Sequence, residues 1–284
     1  CIMLWVGAFS VSMTVGGTYT GLFDENVVED AQFTVSAPLT DEDISALESE
    51  FNVLLERQCF RNISYDNASL RLYSDTNKVD KTVVFEGEAL SSDADVLITY
   101  NFAKAHDISV GDIITLDGGE YTVRGLCIRP DYAAMYANFE DSFPNSVDFG
   151  LAVIPENAMK TAGAYSSYYS VKYLDAGQEN AFRSAVYDKF GTLEYIGRAA
   201  NPRTGMLLQQ GADIEAEFSV YSPIIMLVVV AVVAMVLGRT VRRESRTIGT
   251  LMALGYRRSE LIRHYMQYAL IPAFVGDILG LALC

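Results

Sequence analysis

Few side chains in this sequence have both the type and the spacing to do covalent chemistry. There are two histidines, and only His106 lies outside the arginine-rich stretch near the C-terminus. A hydrolytic triad or a zinc site needs a richer set, and no H-E-x-x-H, G-x-S-x-G or paired C-x-x-C occurs. His106 therefore reads as a surface residue closing a short helix. The acidic groups Asp24/Glu25 and Asp41/Glu42/Asp43 lack calcium-loop spacing and read as solvated faces or helix N-termini. No glycine-rich loop matches a phosphate cradle, so neither ATP nor another cofactor is expected. Cys59 and Cys127 are the cysteines away from the ends; outside the cytoplasm they could form a disulfide if the fold makes them neighbours, or stay two buried thiols. Asp277 is the one charge in an apolar run, a costly place for a carboxylate and so a functional suspect. Gly276 and Gly280 around it form a G-x-x-x-G spacing that permits close helix packing.

The elements that must position these residues follow from the segregation of charge. Half of the 284 residues are hydrophobic, yet the formal net charge is −15. That pairing suits concentrated apolar segments better than one soluble domain. Phe218 to Gly238 is an uncharged run of 21 residues, "FSVYSPIIMLVVVAVVAMVLG". At about 1.5 Å of rise per residue, a helix of that length crosses a hydrocarbon core of roughly 30 Å. Tyr265 to Cys284 carries only Asp277, and Cys1 to Phe23 carries no charge. The sequence thus predicts spans over 1–23, 219–238 and 265–284, an outer domain over 24–218, and a basic connecting region over 239–264. A chain that starts at Cys1 and stops inside an apolar run is expected to be a piece of a longer protein. Ile2 to Val6 continue a membrane helix, which suits neither a lipidated N-terminal cysteine with a polar tether nor a cleaved signal peptide.

Orientation follows from the arginines. Residues 239–264 hold seven Arg against Glu244 and Glu260, while residues 24–217 hold 14 basic and 33 acidic side chains. The positive-inside rule places the basic segment in the cytoplasm and the acidic domain outside the cell membrane. The same acidity argues against nucleic acid or anionic lipid as partners of that domain.

The outer domain reads as mixed α+β. "TDEDISALESEFNVLLERQ" opens on Thr40 as an N-cap with acids in the first turn. Ile44, Leu47, Phe51, Leu54 and Leu55 then fall on one helical face. "SLRLYSD" and "KTVVFEGEAL" alternate like strands. Val96–Thr99 reads as a strand and Asn101–His106 as a short helix. "DIITL" and "YTVRGLCI" read as hairpin arms joined by Asp117-Gly118-Gly119. Strand, helix and strand are predicted again in "SSYYSVKYLDAGQENAFRSAVYDKFGTLEYIGR", with Ala181, Phe182, Ala185, Val186 and Phe190 on the buried helix face. "TGMLLQQGADIEAEFSVY" then continues as helix into the second span.

Between the second and third spans, Ile248, Leu251, Met252, Leu261 and Ile262 recur at helical spacing. Gly255 is placed to end the first helix in a left-handed conformation and Ser259 to cap the next. Such a segment is either an interfacial amphipathic helix or a docking element for a cytoplasmic partner.

The stretch "RRESRTIGTLMALGYRRSELIRHYMQYALIPAFVGDILGL" resembles the signature of FtsX-like ABC transporter permeases, in which a pattern close to R-R-x-E-I-G-x-L-x-A-L-G-x-x-x-x-x-I precedes a Gly-rich span. Arg242, Arg243, Ile248, Gly249, Leu251, Ala253, Leu254, Gly255 and Ile262 match it. The acid expected before the isoleucine is displaced, with Glu244 earlier and Thr247 in its place, and Asp277 departs from the apolar family pattern. Separately, "VLITYNFAKAHDISVGDIITLDGGEYTVRGL" resembles the MacB-type extracytoplasmic core domain at Ala103, Val110-Gly111-Asp112, Gly119, Tyr121, Val123 and Gly125.

This resemblance implies an integral membrane α-helical bundle with a large mixed α+β extracytoplasmic domain inserted between the first and second spans. It implies a multi-pass permease subunit of a mechanotransmission-type ABC system, without an ATPase site of its own. A separate cytoplasmic ABC ATPase would dock on Arg246, Ile248, Gly249, Leu251, Met252, Leu254, Gly255, Arg257 and Arg258. A second copy or a second permease half would complete the assembly in the lipid bilayer. The extracytoplasmic substrate would be a peptide, a lipoprotein or an antimicrobial compound. The alternative is a membrane-anchored sensor whose acidic outer domain binds a ligand, although the return to the membrane after a short basic loop counts against it.

Overall fold

Alternating burial along ten strands builds one mixed sheet, and the shorter helices lie against it. The computed structural model describes residues 17–282. They divide into a unit over Thr18–Leu208 and a second unit holding the helices from Gln209 onward. The first twenty-odd residues, expected as a span, are described only from residue 17, where a helix (α1) runs to residue 25.

The first unit continues with β1 (Ala31–Val35), α2 (Asp41–Phe51), β2 (Val53–Tyr65), β3 (Ala68–Ser74), β4 (Val83–Gly87) and β5 (Asp95–Thr99). After α3 (Tyr100–Ala105) come β6 (Ile113–Leu116), β7 (Gly119–Ile128), β8 (Phe149–Ile154), α4 (Glu156–Thr161), β9 (Ser166–Tyr173), α5 (Glu179–Phe190) and β10 (Thr192–Gly197). The sheet order is β10-β1-β9-β2-β3-β8-β5-β7-β4, with β6 paired to β7. The β3–β8 and β5–β7 pairs are parallel, and the other pairs are antiparallel.

Local chemistry explains the boundaries. Thr40 and Asp43 form a reciprocal capping box at the start of α2. The helix stops at Phe51 because Asn52 takes a left-handed conformation, φ 51°, a conformation that short polar residues tolerate. The periodicity that extends the helical face to Leu54 and Leu55 is therefore overridden: both belong to β2. In the β6–β7 hairpin, Asp117 and Gly118 both have positive φ, 50° and 85°, as a two-residue turn matching strand twist requires. Gly119 already pairs with Leu116 as a strand residue rather than forming part of the turn. On α5, Phe182 and Val186 are buried, whereas Ala181 is exposed at the edge of the face.

The two faces of the sheet differ in chemistry. On one face α2 and α5 cover Phe33, Leu55, Tyr169 and Val171, and α3 and α4 cover Leu70, Leu72, Val96 and Ile98. On the other, Tyr73, Leu97, Cys127, Val153 and Tyr168 pack with Tyr132, from the segment that follows β7. This arrangement settles the two cysteines. Cys59 lies among the residues under α3 and α4, and Cys127 lies on the opposite face, so they are two free buried thiols rather than a disulfide. Burial pushes the Cys127 thiol up to about 12 and raises Cys59 as well, which keeps both unreactive.

In the second unit the long helix α6 (Pro202–Arg243, which starts in the first unit) is followed by α7 (Ser245–Ala253) and α8 (Arg258–Ala282). Among the described residues, the 28-residue stretch Ala216–Arg243 is the one helix long and apolar enough to cross a membrane by length and composition. A Cβ on Gly276 would meet no described atom within 4 Å. The side chain of Asp277, and the surroundings of Gly280, lie outside the described residues.

Gly150 in β8 sits directly under the buried ring of Phe102, where a Cβ would come within 2.2 Å of Cγ. Gly150→Ala is expected to cost about 1–3 kcal/mol by overpacking, read as a lower thermal midpoint of the full chain. An unchanged midpoint would mean that α3 does not press on β8 as described.

Candidate functional site

The basic region between the two long helices is shaped by its backbone. Glu244 breaks the helix between α6 and α7 with φ −97° and ψ 13°, and its carbonyl accepts from Ile248 N at 2.9 Å. At the far end Gly255 has φ 96°, its N–H donates to Met252 O, and Tyr256 N donates to Leu251 O, both at 3.1 Å. This is the Schellman arrangement, which needs a residue without a Cβ penalty at Gly255. α8 begins at Arg258, where the Glu260 carboxylate accepts from Arg257 N at 2.9 Å. Ser259 therefore sits inside the first turn instead of capping it.

Within this unit the side chains of α7 divide between a groove and the surface. Ile248 and Met252 line a groove of about 440 Å³ together with Leu237 and Val241 of α6 and Leu261 and Tyr265 of α8. Leu261 and Tyr265 are buried there. Glu244, displaced from its expected position in the sequence, accepts from Tyr265 Oη at 2.5 Å and fastens the α6–α7 break to α8. Ile248 and Leu251 are half-buried, while Leu254 is 73% exposed. Arg246, Arg257, Arg258 and Gly249 are exposed as well. On α7 and the turn after it, Leu254, Tyr256 and about half of Met252 are exposed, in a segment whose arginines are exposed too.

A second arrangement lies inside the first unit and was not foreseen from the sequence. Glu29 precedes β1, Asp80 precedes β4 at φ 56°, and Arg129 and Asp131 bracket Pro130 after β7. Gln58 of β2, Ser170 of β9 and Asn201 before α6 complete the group, and every member is more than nine-tenths buried. Arg129 grips Asp131 with Nε and Nη2 at 3.0 and 2.9 Å, and Nη2 also donates to Gln58 Oε1 at 3.2 Å. Gln58 Nε2 donates to Asp80 Oδ2 at 3.2 Å, and Asp80 Oδ1 accepts from Glu29 N at 2.8 Å. The Glu29 carboxylate accepts from Ser170 Oγ at 2.7 Å and from Asn201 Nδ2 at 3.1 Å. Arg198 adds bonds to the carbonyls of Val28 and Glu29 and an ion pair with Asp30.

Electrostatics follow from that packing. Burial pushes the Glu29 carboxyl up to about 7, against the lowering hydrogen bond from Ser170. Burial, followed by the charge of Glu29, holds Asp80 well above the usual carboxylate range. Burial alone would lower Arg129, but Asp131 together with Tyr73 and Tyr168 more than offsets it and keeps the guanidinium charged. Nothing in the sequence sets Glu29 and Asp80 apart from the other acids. The available signal was Arg129-Pro130-Asp131, an ion pair spaced across a proline at the end of an apolar strand.

The second unit thus sets a short helix flanked by arginines directly after a candidate membrane helix. Residues 219–284 match the family model "FtsX-like permease C-terminal". The likeness covers this C-terminal segment alone, and with the candidate membrane helix it points to a membrane protein. No curated protein matches the chain.

The buried acids predict a pH dependence. Glu29 binds its proton more tightly in the folded state than at its ordinary value of 4.5, so its stabilising effect is complete below that value and lost as pH rises through about 7. Between about pH 5 and 8 the melting midpoint of the first unit in the full chain is expected to fall, by the equivalent of a few kcal/mol. Glu29→Gln should flatten that slope. A midpoint that is level or rises over this interval in the wild type would contradict the assignment.

Proposed function

We propose that the chain is the permease subunit of an FtsX/MacB-like, mechanotransmission-type ABC transporter. A separate cytoplasmic ATPase supplies the ATP chemistry and works against α7, and the outer domain moves in response to act on an extracytoplasmic peptide, lipoprotein or antimicrobial compound. The observation that carries this reading is the short helix α7 lying within the segment that matches the FtsX-like model, with Leu254 and several arginines exposed directly after a candidate membrane helix. An exposed leucine in a segment of exposed arginines suits an acidic cleft on a partner.

In this reading the second unit is a multi-pass bundle, with α8 as a further span, and the acidic first unit lies outside the cell membrane. The outer domain corresponds to a MacB-type core. Supporting that, the landmarks Ala103, Val110-Gly111-Asp112, Gly119, Tyr121, Val123 and Gly125 fall on α3 and on the β6–β7 hairpin with the turn leading into it. A second copy, or a second permease half, pairs with this chain in the bilayer. The G-x-x-x-G spacing of Gly276 and Gly280 would let such a contact approach closely.

Co-purification of the full-length permease with its ATPase tests the coupling role, comparing wild type with Leu254→Asp and Leu251→Asp. Wild type should retain the ATPase. Leu254→Asp, which exchanges an exposed side chain and spares the groove, should weaken retention about tenfold or more. Leu251→Asp should do the same at some cost in stability. Equal retention by folded Leu254→Asp would remove α7 as the docking element and favour a sensor.

A further inference from the structure

The face of the sheet opposite the helices carries three arginines layered with aromatic rings. Arg129 stacks on Tyr73 at 4.0 Å, Arg71 lies between Phe60 and Phe149 at 5.1 and 5.3 Å, and Arg203 lies between Tyr132 and Phe139 at 4.3 and 4.5 Å. Arg129 has Asp131 as its counter-ion. Arg71 and Arg203 are 6% and 7% exposed, yet neither has a carboxylate within ion-pair distance among the described residues. Their bonds go to neutral acceptors. Arg71 donates to Asn62 Oδ1, Tyr132 Oη and Ala137 O, and Arg203 donates to Tyr136 O and to the same Ala137 O. Two buried cations meeting at one carbonyl is an unusual balance, since buried charges are as a rule paired.

Both guanidiniums line an open cleft of about 520 Å³, a volume typical of small-ligand sites. Gln32 lines the same cleft, is 9% exposed, and its Oε1 is buried without a hydrogen-bond partner among the described residues. An unpaired buried acceptor wants an N–H donor. Glu140 and Glu194 stand exposed in the same lining, so a multiply charged anion such as phosphate would be repelled at the rim.

We infer that this cleft binds a zwitterionic ligand of the amino-acid or dipeptide class. Its carboxylate lies against Arg71 and Arg203, an N–H donates to Gln32 Oε1, its ammonium faces Glu140 and Glu194, and its side chain rests on Phe60 and Phe139. The geometry stands apart from the permease assignment, because it depends on the outer domain alone.

The test is isothermal titration of the full chain in detergent with the dipeptide alanyl-phenylalanine, its C-terminal amide, and inorganic phosphate. The free dipeptide should bind saturably. The amide, which lacks the carboxylate, should bind at least about tenfold more weakly, the range a charge-assisted hydrogen bond carries, and phosphate should not compete. Arg203→Gln should lose about as much affinity as the amide does. Because Arg203 also supports its aromatic neighbours, Gln32→Leu serves as the second variant: it removes the unpaired acceptor, should leave the melting midpoint unchanged or higher, and should weaken binding several-fold. The proposal fails if the dipeptide shows no saturable binding at millimolar concentration, if the amide binds equally well, or if folded Gln32→Leu binds like wild type.

Discussion

Burying Glu29, Asp80 and Asp131 around one ion-paired arginine is the constraint on which the α/β unit closes. Charges removed from water are tolerated only when their oxygens and N–H groups find partners. Here the partners come from segments far apart in the chain: Gln58, Ser170, Asn201 and the backbone at Glu29. The residues just after α1 are thereby fastened to those just before α6, and Arg198 repeats the same connection through the Val28 and Glu29 carbonyls. The two ends of the domain are held by polar bonds whose strength depends on protonation, whereas apolar packing holds the rest.

That division runs through the sheet itself. One face is apolar and permanently covered by α2, α3, α4 and α5, which makes it a scaffold. The other carries Gln32, Gln58, Arg71, Tyr73, Tyr168 and Ser170, covered in part by Tyr132 and its neighbours and in part left open as a cleft. Side chains on a rigid sheet hold their positions better than side chains on loops, so recognition belongs on this second face. In the other unit the Glu244–Tyr265 bond serves a similar purpose, setting where α7 leaves α6 and so what Leu254 and the arginines present.

Much of this was legible in the sequence because it rests on local rules. Asp117-Gly118 specified its hairpin through positive φ, Thr40 and Asp43 specified the start of α2, and Gly255 specified the end of α7. The uncharged run from Phe218 specified the candidate membrane helix. What was not legible depends on distant segments. Leu54 and Leu55 keep helical spacing with Phe51, and only pairing of β2 with β9 and β3 reveals a strand. Alternation marks Gln58, Arg71 and Ser170 as the polar side of their strands, but it does not say that the segment after β7 folds over them. Cys59 and Cys127 looked like a candidate pair because sequence does not report which face of a sheet each strand residue occupies.

The proposed topology puts the Thr18–Leu208 unit outside the membrane and α7 on the cytoplasmic side, and sidedness is its most direct test. Single cysteines would be introduced at Leu193, 69% exposed in the outer domain, and at Leu254, 73% exposed after α7, with the four native cysteines changed to alanine. Each protein would be labelled on intact cells with a membrane-impermeant maleimide. Leu193→Cys should label without permeabilisation, and Leu254→Cys only after it. Labelling of both positions from the same side would contradict the proposed topology, and with it the coupling of a cytoplasmic ATPase to an outer domain.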